Sequence, residues 1–89
     1  MVQVVWTRVA AENVDLIRAY IAQFDPKAAQ RLAVRLIGAG ESLCEFPNRG
    51  RPADDGLREL ATIAPYVILY EVLDDTVNIL SVIHGSQRR

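Results

Sequence analysis

Eighty-nine residues make one domain, residues 1–89, and leave no room for a second. Ten Lys and Arg against eleven Asp and Glu leave a net charge of −1, so the basic excess of a phosphate-binding protein is missing and no direct nucleic-acid binding is expected. The single cysteine, Cys44, excludes an internal disulfide and fits a reducing compartment.

One His and one Cys also exclude a zinc site on the usual ligands. No glycine-rich phosphate loop occurs, so no cofactor is implied. The start, "MVQVVWTRVA", lacks the basic flank and long apolar run of a signal peptide. No apolar stretch approaches the roughly 20 residues of a bilayer span, so a cytoplasmic chain with no membrane partner is expected. The apolar share of 51% predicts either a tight core or a surface that a partner covers.

Val2 to Trp6 is short and β-branched and predicts a strand. Thr7 then supplies a helix cap. Ala10, Val14, Ile17, Ile21 and Phe24 recur every three or four residues, so an amphipathic helix is predicted over 8–23. Asp25 and Pro26 cap and open a second helix over 26–45, striped by Ala29, Leu32, Leu36, Ala39 and Leu43. Gly38 and Gly40 each cost about 1 kcal/mol in a helix, a cost that close approach to a neighbour would offset. The short Asp-Pro joint predicts an antiparallel helical hairpin.

"PNRGRPADDG" is a breaker-rich loop. Leu57 to Thr62 follows as a strand, then "YVILYEVL" from Tyr66 to Leu73, apolar enough for a central strand covered on both faces. Asp74-Asp75 turns into a return strand over Thr76 to Ile83. The expected fold is therefore α+β: an N-terminal strand, an antiparallel helical hairpin, then a three-stranded antiparallel meander.

Several pieces now coincide in order: Trp6 closing the first strand, "DLIRAYIAQFDPKAA", "FPNRGRP", "LREL", "YVILYEV" and "VNILSVIHG". Together they resemble the RelE/ParE superfamily of bacterial toxins from type II toxin–antitoxin modules, across nearly the whole chain. The resemblance implies a small cytoplasmic toxin neutralised by a cognate antitoxin that wraps over it. RelE-like members cut messenger RNA on the ribosome. ParE-like members poison DNA gyrase and are not known to need catalytic chemistry of their own.

RNA cleavage requires cations around the scissile phosphate and a group that moves protons. RelE-like toxins place basic residues along the strand after the loop, before the "LVY"-type tripeptide and near the C-terminus. Here the strand after the loop keeps one cation, Arg58, ahead of Glu59 and Leu60. Val67 precedes "ILY", and Gln87 stands where a cation is expected. The "REL" and "HG" pieces are closer to ParE, which points to gyrase. Ser81 departs from that pattern, since ParE-like sequences often carry an arginine there.

The alternatives stay open at this point: a ribosome-dependent endoribonuclease running on Arg51, Arg58 and His84, or a non-toxic relic that only holds an antitoxin. Arg49, Arg51, Arg58, Ser81, His84 and Arg88 are the candidate contacts to antitoxin or target. Each also has a plainer role. His84 can pack at a strand end with a ring nitrogen bonded to a backbone carbonyl, Arg58 or Glu59 can pair within the sheet, and Arg49 and Arg51 can be solvated loop residues. Trp6, Tyr66, Tyr70 and Cys44 are expected in the core.

Overall fold

The computed structural model describes residues 1–87. The major elements are β1 (Gln3–Trp6), α1 (Arg8–Ala22), α2 (Pro26–Glu41), β2 (Arg51–Pro52), β3 (Arg58–Leu60), β4 (Tyr66–Leu73) and β5 (Thr76–His84). Short 3-10 turns lie at Ser42–Cys44, Asp54–Gly56 and Gly85–Gln87. The five strands form one sheet in the order β1-β5-β4-β3-β2. β1 runs parallel to β5, and the other neighbours are antiparallel. The predicted meander is present as β3, β4 and β5, and β2 extends the sheet by one short strand.

Both helix starts follow from their caps. Thr7 is extended and its Oγ1 accepts from the Ala10 amide at 3.2 Å. The same hydroxyl donates to the Ile79 carbonyl at 2.7 Å, tying α1 to β5. Asp25 Oδ1 accepts from the Ala28 amide at 3.1 Å, with Pro26 as the first helical residue. Phe24 departs from its expected place in the α1 stripe. The helix stops at Ala22, and Phe24 is 73% exposed, its ring edge-on to Tyr20 at 5.6 Å.

α2 ends at Glu41 instead of running to residue 45. The Ser42 hydroxyl donates to the Ala39 carbonyl at 2.6 Å, and the chain tightens into the 3-10 turn that follows. The two glycines differ. A Cβ on buried Gly40 would lie 2.8 Å from Ile79 Cδ1 and run into the Trp6 ring, so this glycine lets α2 approach the sheet. Gly38 faces open space. Gly38→Ala should therefore raise stability by about 0.5–1 kcal/mol, seen as a rise of a few degrees in thermal unfolding.

The core lies between the helical hairpin and one face of the sheet. Leu36, Leu43, Ile68, Tyr70, Val77 and Ile79 are fully buried there. Alternation along β4 sends Ile68, Tyr70 and Val72 into this core and Val67, Leu69 and Glu71 to the other face. The helical hairpin covers β4 on one face; on the other, buried Val67 and half-buried Leu69 line a cavity together with Asp54, Asp55 and Gln87.

β5 does not run straight. Its pairing passes from Ser81↔Leu69 to Ile79↔Tyr70, which leaves Leu80 as an extra, bulged residue. The bulge puts both Ile79 and Val82 on the buried side, whereas a straight strand would set them on opposite faces. The turn back from β4 is the two residues Asp74 and Asp75, with Asp74 at φ +56, a conformation that Asp tolerates better than most residues. Among the described residues no helix is long and apolar enough to cross a membrane.

Candidate functional site

The face of the sheet away from the helices is concave and holds a cavity of about 550 Å³. Its floor is Val67 and Leu69 from β4 and Ile83 from β5. Arg51 and Glu59 form its wall, Asp54 and Asp55 its rim, and Gln87 closes one end. β2 and β3 align Arg51 opposite Glu59, so their side chains emerge together on this face. Arg51 Nε and Glu59 Oε1 form an ion pair at 3.2 Å. Among the described residues, one cation therefore faces three carboxylates, and the base of the site is aliphatic.

The expected site residues do not gather here. Arg51 lines the cavity but is committed to Glu59. Arg58 sits opposite Tyr70, on the helix side, and its Nη1 donates to the Gly50 carbonyl at 2.6 Å and the Asn48 carbonyl at 3.3 Å. Tyr70 completes that clamp. Its hydroxyl donates to the Pro47 carbonyl at 2.8 Å and accepts from the Gly50 amide at 2.9 Å. Arg58 and Tyr70 together hold the loop from Pro47 to Gly50 in place.

His84 lies beyond reach of that clamp. It pairs with Tyr66, four residues along β4 from the partner of Arg58. The two backbones are separated by about 13 Å along β4 and about 10 Å across it. The exposed His84 ring stands edge-on to Tyr66 at 5.8 Å, and its Nδ1 accepts from the Ser86 amide at 3.1 Å. The ring nitrogen meets a backbone donor, in place of the expected carbonyl, because Gly85–Gln87 turns back at once.

Arg49 donates to the Ser42 hydroxyl at 2.8 Å, outside the cavity. Ser81, half-buried, pairs with Leu69 and points to the open face. Arg88 lies outside the described residues. Trp6 and Cys44 are half-buried, and the Trp6 indole donates to Glu41 at 2.8 Å. Glu59, Leu69 and Ile83 were not singled out for this site. The signal for the apolar pair was the strict alternation within the last two long strands.

The molecule is thus a small α+β protein with a helical hairpin on one sheet face and a concave, acid-rimmed second face. A family model for the ParE toxin of the type II toxin–antitoxin system parDE matches residues 4–89. Toxin RelE2 of Caulobacter vibrioides is 51% identical over 87 residues, covering 98% of this chain and 99% of that protein. Toxin RelE1 of the same species is 32% identical over 83 residues, covering 90% of this chain and 89% of its own length. The solved structure of a chromosomal ParDE system from P. aeruginosa superposes with a TM-score of 0.86 at 25% identity, covering 94% of this chain and 96% of that one. This chain belongs to the ParE toxin family, within the RelE/ParE superfamily, and is the toxin of a type II toxin–antitoxin system. Such a module supplies an antitoxin as its partner.

Proposed function

We propose that this toxin acts by binding, with DNA gyrase as its target, and that its antitoxin covers the open sheet face and the grooves of the helical hairpin. The charge of the cavity carries this reading. A scissile phosphate placed there would meet Asp54, Asp55 and Glu59, with Arg51 already paired to Glu59. Preorganised cations are what phosphoryl transfer to a ribose hydroxyl requires, and each missing one costs a few kcal/mol of transition-state stabilisation. An aliphatic floor ringed by carboxylates suits a protein side chain instead.

The names of the two RelE relatives favour a second reading, ribosome-dependent cleavage of messenger RNA. Its residues would be Arg51, Arg58 and His84. Arg51 lies on the open face and the other two on the helix side, which speaks for the binding reading. The direct test adds purified toxin to gyrase and relaxed plasmid. The expected result is loss of supercoiling at a toxin concentration that leaves ribosome-bound message uncut. Full supercoiling with codon-positioned cuts in the message would favour the second reading.

A further inference from the structure

We infer that Asn13 and Gln87 guard the free edge of β5 against strand pairing with a second copy of the chain. β1 covers β5 only from Thr76 to Ile79. From Leu80 to His84 no strand among the described residues pairs on that side. Ile83 aligns with Val67 and the Gly85 amide donates to the Pro65 carbonyl, both toward β4. The alternation of the chain then turns the amides of Val82 and His84 outward.

Side chains take both of these outward donors. The Val82 amide donates to Asn13 Oδ1 at 2.9 Å, and the His84 amide donates to Gln87 Oε1 at 3.1 Å. Just before them, the carbonyls of Ile79 and Leu80 accept from the Thr7 hydroxyl at 2.7 and 3.2 Å. An open edge with unpaired amides is a template for another extended chain. Here that edge is satisfied by groups from α1 and from the turn after β5.

The surroundings of Asn13 sharpen the point. Val9, Leu16 and Tyr20 lie four residues before and three and seven residues after it, on one row of α1, and all three are exposed. An apolar residue at position 13 would complete a greasy row beside an open strand edge, which is the setting for uncontrolled pairing. Asn13 breaks the row and spends its oxygen on the strand. An incoming strand must break the Asn13 and Gln87 bonds to form its own, an exchange with little net gain.

The test compares the wild-type chain, freed of antitoxin, with Asn13→Ala/Gln87→Ala and with Asn13→Asp, which keeps the acceptor. Sedimentation measures self-association, and hydrogen exchange follows the Val82 and His84 amides. Wild type and Asn13→Asp should remain monomeric, while the double variant self-associates about tenfold more tightly or better. Its two edge amides should exchange quickly when dilute and slow down as concentration rises. Gln87→Ala alone, a change in an exposed turn that leaves the core untouched, should show the same trend at His84 if the double variant fails to fold. The inference is overturned if the double variant, or Gln87→Ala in its place, stays monomeric over that range. It is equally overturned if association leaves both edge amides in fast exchange, or if wild type already pairs through this edge.

Discussion

Gly40→Val lowers the melting temperature by about 12–24 °C, the equivalent of about 3 kcal/mol in a domain of this size. Even a bare Cβ at this position sits 2.8 Å from Ile79 Cδ1 and collides with the Trp6 indole. Neither neighbour can retreat cheaply. Ile79 is fully buried, and Trp6 is held by its hydrogen bond to Glu41 on the next residue of the same helix. Interiors packed at crystal density transmit such an intrusion to the backbone. Alanine would recover about 1 kcal/mol of helix propensity against the clash, so Gly40→Ala should be the milder of the two. Thermal unfolding of Gly40→Val beside Gly38→Val separates clash from propensity. If the two valine variants melt together, the close approach of α2 to Trp6 is not what requires glycine.

Tyr70→Phe costs about 2–4 kcal/mol, although it removes one atom. The ring is fully buried, and its hydroxyl both donates to the Pro47 carbonyl and accepts from the Gly50 amide. Phenylalanine keeps the shape and strands a donor and an acceptor beneath the loop. Arg58 still holds the Gly50 carbonyl, so the loop should loosen locally before the domain unfolds. The expected signature is a faster-exchanging Gly50 amide together with a melting temperature about 8–32 °C lower. Retained protection at Gly50 would mean that the phenol does not anchor the loop.

The sequence made the helices legible because their signals are local. Thr7, Asp25 and Pro26 mark the starts, and two apolar stripes mark the buried faces. What escaped needed partners distant in the chain. Arg51-Pro52 reads as loop, since proline cannot donate to a ladder, yet Arg51 and Pro52 pair with Glu59 and Arg58 at the sheet edge. The bulge at Leu80 leaves no mark in the run from Thr76 to Ile83, so alternation alone does not reveal that Ile79 and Val82 share the buried face. Phe24 fits the helical period but falls after the helix has ended.

The candidate site was legible only in part. Alternation sets Arg58 and Glu59 on opposite faces of β3, and that is how they lie. It could not say that Arg58 turns inward to the loop carbonyls while Glu59 meets Arg51. Those roles depend on where the loop from Pro47 to Gly50 packs, and Tyr70, twenty residues beyond Gly50, fixes that position. His84 was recognisable as the end of a strand, but its partner, Ser86, depends on the sharp turn that follows.

The measurement that bears most directly on the account is pulse-labelling of DNA and protein synthesis in the first minutes after induction of the toxin in bacteria lacking its antitoxin. A toxin that acts by binding gyrase stops DNA synthesis first, with protein synthesis following later. Protein synthesis that fails first, with DNA synthesis intact, would contradict the account and make Arg51 and His84 the residues to substitute next. Growth that continues with neither process affected would contradict it as well and leave a chain that only holds its antitoxin.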